Sequence, residues 1–209
     1  MGIAYSLRRA NKETGGLKLM LHSNYRPLVR VPLPFLNRQR YMHTFDLADP
    51  QMAPGFEDYL IPVTRLCAAA HALTGLAHMT VDEKIVRAGM SQRRPKPHVD
   101  GCYIPEASSW GHGGSGWNHY CNNVPAKAIS RMPVIVAASV PGCRAWRGEF
   151  DATPKTDGDL SHLALDEGEV LPAYVGYLLS PDCVHESMIF DRDVERTFLR
   201  IALPTDFVF

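Results

Sequence analysis

Val170–Leu203 reads VLPAYVGYLLSPDCVHESMIFDRDVERTFLRIAL, and its punctuation decides the fold class. Three runs, Val170–Leu179, Cys183–Phe190 and Glu195–Leu203, are rich in β-branched, aromatic and other apolar residues, with short turns between them. Runs of this length bounded by Pro, Ser and Asp are strand signals. Upstream, Pro133–Val140 (PVIVAASV) is a continuous β-prone run closed by Pro141-Gly142, and Arg144–Phe150 follows it. Lys84–Gly89 is a further candidate strand, and DATPKTDGDLSH at 151–162 reads as loop. There is no internal repeat and no β-α-β alternation. The spacing predicts a mainly β protein, an antiparallel sandwich or jelly roll with helices packed on one side.

One helix is expected. Phe56, Leu60, Val63, Leu66, Cys67, Ala70 and Leu73 recur at three- and four-residue spacing, the period of a helix with one apolar face. Pro62 either opens it or kinks it, and Gly75 is its expected stop. The first 45 residues show no clear period and read as an irregular or partly stranded arm. Residues 1–80 are therefore expected as an arm and helix on the core, with 81–209 as the core, in one structural domain.

Composition bounds the class. At 209 residues, 45% hydrophobic and 21% charged, the chain is long enough for one well-buried core. Cys67, Cys102, Cys121, Cys143 and Cys183 are odd in number and form no C-x-x-C pair. That disfavours a disulfide framework or structural zinc and favours a reducing compartment. The N-terminus has early arginines but no apolar run behind them, and no stretch approaches a membrane span. A soluble, cytoplasmic protein is expected. Net charge is zero, yet residues 1–45 carry eight Lys/Arg against one acid, and residues 151–209 four against twelve. Such runs are mostly solvated faces; a basic arm touching nucleic acid is the sharper alternative.

Chemistry concentrates at Pro97-His98-Val99-Asp100-Gly101. On a strand, residues i and i+2 face one side, so an imidazole and a carboxylate can meet one ion. Alone the pattern is weak, since roughly 0.5 such pairs arise by chance in this composition. Eighty-five residues after Asp100, His185 opens a strand after the turn Ser180-Pro181-Asp182. Two histidines and one carboxylate on one face of an octahedral metal leave three positions open, the ligand set of non-haem iron(II) oxygenases. Arg196 and Arg200 then share one face of the last strand. If that face is interior, two buried cations imply an anionic partner, and a planar guanidinium fork suits a carboxylate.

In this order the sequence resembles the 2-oxoglutarate and iron(II)-dependent oxygenase superfamily over roughly residues 85–209. The R-x-x-x-R ending at Arg196 and Arg200 is similar to the taurine dioxygenase branch, in which both arginines address the cosubstrate. The interval between H-x-D and the second His is shorter than in that branch, so taurine-like substrates are not implied. The resemblance implies a double-stranded β-helix with Fe(II) held by His98, Asp100 and His185. It also implies 2-oxoglutarate bound through Arg196 and Arg200, O₂ as oxidant, succinate and CO₂ as by-products, and a hydroxylated product. Halogenases of the family lack the carboxylate ligand; Asp100 favours hydroxylation.

Ser108–Asn123 (SSWGHGGSGWNHYCNN) is a glycine-rich loop or a lid carrying Trp110 and Trp117, with His112 and His119 within it. Ser187 and Tyr103 are candidate hydrogen-bond partners in the barrel. Arg93-Arg94-Pro95-Lys96 is a small basic patch near the active-site mouth. No G-x-S-x-G elbow supports a serine hydrolase. A cupin-like metalloenzyme without 2-oxoglutarate, and a jelly-roll binding module with a structural metal, stay open as alternatives. The substrate class (small molecule, protein side chain or nucleobase) is not legible.

Overall fold

The computed structural model describes residues 20–100, 103–104, 109–110, 132–151 and 158–209. The chain begins with β1 (Met20–Ser23), β2 (Tyr25–Arg30) and β3 (Gln39–Asp46). A 3-10 turn, Glu57–Tyr59, then leads into α1 (Leu60–Ala70), which is followed by β4 (Leu76–Val86). Two short strands, β5 (Tyr103–Ile104) and β6 (Ser109–Trp110), pair with each other. Next come β7 (Val134–Ala138), β8 (Cys143–Trp146), β9 (Gly148–Asp151) and β10 (Glu169–Val170). The last three are β11 (Val175–Leu179), β12 (Val184–Ser187) and β13 (Val194–Ala202).

The protein is mainly β, and its sheets are antiparallel. A large sheet has the order β2-β11-β7-β13-β4-β3, and a small one β10-β8-β12. From β7 to β13 the chain passes between them, with β7, β11 and β13 in the large sheet and β8, β10 and β12 in the small one. The period-2 pattern of each strand decides what lies on either side. Met79, Val81, Ile135, Ala137, Leu178, Leu199 and Ile201 pack in one cluster with Val63, Leu66, Cys67 and Ala70 of α1. Their neighbours Val134, Val136, Tyr177, Leu179, Phe198 and Ala202 turn the other way and share a second cluster with Cys143 and Ala145 of β8. The two sheets thus enclose one core, and α1 covers the outer face of the large sheet.

The expected helix is present but shorter than its apolar period. Pro62 lies in its first turn, where a missing N–H costs nothing. The helix ends at His71, which takes the left-handed conformation (φ 62°) and donates its N–H to the Ala68 carbonyl. Gly75 (φ 98°) lies four residues on, where a Cβ would come within 2.9 Å of Pro204. Residues 20–46 carry more strand than their sequence suggests. β2 and β3 form the two edges of the large sheet, and β4 runs across residue 80, so no boundary falls there. No helix among the described residues is long and apolar enough to cross a membrane.

One polar network ties α1's side of the molecule to the sheet. Glu83, fully buried on β4, accepts hydrogen bonds from Tyr59 Oη (2.7 Å), Leu36 N (2.6 Å) and Arg38 N (3.1 Å). Arg38 Nη2 also pairs with it at 3.0 Å. Burial raises the Glu83 carboxyl's pKa, but these donors outweigh it and leave the pKa below its ordinary value. Tyr59→Phe removes one donor to a buried anion and is expected to cost about 1–2 kcal/mol, measured by urea denaturation.

Candidate metal centre

The metal-binding candidates depend on which side chains of the small sheet turn inward. Val184 and Val99 belong to an apolar layer with Leu21, Trp146 and Leu160 behind that sheet. Alternation then aims His185, His98 and Asp100 at the large sheet. Residues 91–98 run beside β12 as an irregular extra strand, bridged at Ser91–Ile189 and at His98–His185. At the second bridge each histidine N–H donates to the other's carbonyl at 2.9 Å. Pro95 and Pro97 interrupt the ladder, so this strand carries no continuous hydrogen-bond pattern and was not legible as one.

One ligand atom each from His98, Asp100 and His185 lies within 4.8 Å of the other two. The imidazole centroids are 4.5 Å apart, and His185 Nε2 is 3.8 Å from Asp100 Oδ1. His98 Nδ1 is 2.8 Å from the Lys96 carbonyl, and His185 Nδ1 is 2.9 Å from the Cys183 carbonyl. A carbonyl can only accept, so each Nδ1 carries the proton and each Nε2 presents its lone pair. This is the outer-shell arrangement that orients a metal-binding imidazole. Burial, with His185 and Arg94 nearby, holds His98 well below its ordinary pKa and keeps it neutral. Burial pushes the Asp100 carboxyl up, but it is held below its usual range, with the paired Arg200 guanidinium the largest opposing influence. Two imidazoles and a carboxylate suit a divalent transition metal. Ligand atoms about 2.1 Å from such an ion sit about 3 Å apart, which small side-chain movements would reach here.

The two arginines differ. Arg200 donates from Nε (3.2 Å) and Nη2 (3.0 Å) to Asp100 Oδ2, turning Oδ1 toward His185. Arg196 is 1% exposed; its Nε donates to the Val140 carbonyl at 3.0 Å and its Nη1 to Gln92 Oε1. Among the described residues no carboxylate forms an ion pair with it. Burial pushes its guanidinium down to about 10, so it stays charged at neutral pH. Asp193, three residues before Arg196, pairs with Arg87 and not with either of these arginines. No family model and no curated protein matches the chain.

Ser187 Oγ accepts a hydrogen bond from Arg93 N at 3.2 Å and so holds the extra strand in place. Arg93 lies 5.6 Å from the Tyr41 ring and 5.7 Å from the Phe198 ring. Trp117, His112 and His119 lie outside the described residues, and Tyr103 and Trp110 are described only as strand backbone. Sequence reasoning missed Gln92. A lone glutamine carries no motif, and only its burial at 4% exposure against Arg196 marks it.

Proposed function

We propose that this chain is a 2-oxoglutarate- and Fe(II)-dependent dioxygenase that hydroxylates its substrate. The observation that carries the reading is one inner surface with two features. It holds a His98–Asp100–His185 cluster with both Nε2 atoms presented, and a buried Arg196 with which no carboxylate among the described residues forms an ion pair. The alternation of β7, β8, β11, β12 and β13 between two sheets supports a double-stranded β-helix as the scaffold.

His98, Asp100 and His185 would hold the metal, which when bound supplies O₂ activation coupled to oxidative decarboxylation of the cosubstrate to succinate and CO₂. The chain's own residues prepare that chemistry. The Lys96 and Cys183 carbonyls fix the tautomers. Arg200 restrains Asp100 to a single ligating oxygen and keeps it ionised. Arg196 offers a desolvated cation to the far carboxylate of 2-oxoglutarate, where a charge-assisted pair is strongest.

The test is an anaerobic titration of the protein with Fe(II) and then 2-oxoglutarate. A weak visible charge-transfer band is expected from chelation of a 2-oxo acid at a facial-triad site. Its absence with folded protein sinks the reading. A second reading, a cupin-like metalloenzyme using the same ligands without 2-oxoglutarate, draws on one observation. Arg200 already serves Asp100, and Arg196 already has two neutral acceptors. Metal binding without the band would favour it.

A further inference from the structure

Arg196, Phe198 and Arg200 form a strip on the inner face of β13, and residues 92–100 lie across it in the same order. Gln92 meets Arg196, the Arg93 guanidinium stands 5.7 Å from the Phe198 ring, and Asp100 meets Arg200. At about 3.3 Å per residue the two arginine Cα atoms are about 13 Å apart. The two cations therefore mark opposite ends of one strip, with the metal ligands at the Arg200 end.

At the other end Gln92 is held from every side. Its Nε2 donates to the Asp82 carbonyl (2.6 Å) and to the Arg196 carbonyl (3.2 Å), and Lys84 Nζ donates to its backbone oxygen (2.9 Å). Those two acceptors fix the amide, so Oε1 is the atom that faces Arg196 Nη1. An amide oxygen accepts a hydrogen bond without bringing charge. The carboxylate of buried Asp82 is taken by Gln39 (2.8 Å), Lys84 (3.1 Å) and the more distant Arg93 (3.7 Å). Arg196 is thus oriented yet keeps its full charge.

We propose that Gln92 sets which 2-oxo acid this site accepts. It orients the Arg196 fork with a neutral oxygen and leaves the charge for the distal carboxylate of a dicarboxylic 2-oxo acid. The inference rests on the dioxygenase reading above. Gln92 is a positioning residue here, acting through Arg196. A glutamate at this position would set a carboxylate of the chain's own directly against the Arg196 fork, so a monocarboxylic 2-oxo acid such as pyruvate would lose nothing while 2-oxoglutarate would lose its anchor. A methionine of similar volume would remove the competing oxygen and leave the fork to the cosubstrate alone.

The experiment measures anaerobic dissociation constants of 2-oxoglutarate and pyruvate, with Fe(II), for the full chain and for Gln92→Glu and Gln92→Met. The wild type is expected to prefer 2-oxoglutarate. Gln92→Glu should weaken 2-oxoglutarate about 30-fold and pyruvate less than about 3-fold, the loss of one charge-assisted anchor. Gln92→Met should hold or widen the preference. Opposite movements of the ratio are not produced by a merely structural glutamine, which would weaken both acids in parallel in both variants. Parallel weakening, or a ratio unmoved in both, overturns the proposal. Glutarate, which lacks the chelating 2-oxo group, gives a metal-independent readout: it should raise the wild-type Tm and fail to do so in Gln92→Glu. If glutarate behaves so and the wild type shows no band with iron, the Gln92 assignment stands and the iron reading falls. A wild-type band with an unmoved ratio does the reverse.

Discussion

His185→Ala is expected to weaken Fe(II) binding by more than ~100-fold and to abolish the 2-oxoglutarate band, because outer-shell changes alone cost 10- to 100-fold. The substitution is well suited to isolating ligation from folding. What joins β12 to the neighbouring strand at this point is backbone: His98 N–H to His185 O and the reverse, both 2.9 Å. Alanine keeps both bonds. The side chain removed is half-buried on the inner face, whereas the apolar layer behind it rests on Val184 and Val99. Far-UV circular dichroism should therefore be unchanged while iron binding is lost. His43→Ala is the matching control, since His43 Nε2 lies 2.8 Å from the Gln51 carbonyl, apart from the cluster. A band that survives His185→Ala would mean that the ligand set is wrong.

The sequence made this site legible because its signals are local. The turn at Ser180-Pro181-Asp182 and the short strand carrying His185 can be read as punctuation and lie where it puts them. The run Val170–Leu179, by contrast, divides, with Val170 in β10 of the small sheet and Val175–Leu179 as β11 of the large one, because Tyr174 turns the chain at φ 61° between them. Alternation along the last strand likewise placed Arg196 and Arg200 on one face, and both lie inside. What the sequence hid is long-range. Residues 91–98 act as a strand only because β12 is there to pair with, and their prolines argue against strand in isolation. β2 and β3 contain Pro27 and exposed polar residues. They are strands because the large sheet offers them its edges, with the edge strand β3 bulged between Arg40 and His43. The helix ends at His71 and not at Gly75, because a backbone turn closes before the apolar period runs out. Gln92 carried no signal at all; its role comes from being placed against a buried cation 104 residues away in sequence.

Arg196→Met should separate binding from stability, with the two moving in opposite directions. A guanidinium pushed down to about 10 by burial is bound at neutral pH at a cost on the order of 3 kcal/mol. The sign is that of a cation whose folded pKa lies below its unfolded one. The unfolded chain holds the proton more tightly, so the charge opposes folding at all pH values below the folded pKa. That opposition is relieved only as pH rises from there toward the unfolded value. Methionine removes the cost and fills much of the volume between Phe190 and Phe198, whose rings each lie 5.7 Å from the guanidinium carbon. It also leaves the Val140 carbonyl and Gln92 Oε1 without their donor, a loss of about 1 kcal/mol each. The balance is a stability unchanged or raised by up to about 2 kcal/mol in urea. Over the same substitution 2-oxoglutarate affinity should fall about 100-fold, the loss of a desolvated carboxylate partner, while Fe(II) affinity is kept. A protein that is strongly destabilised would make Arg196 a structural cation. One that binds 2-oxoglutarate as before would move the anchor to Arg200.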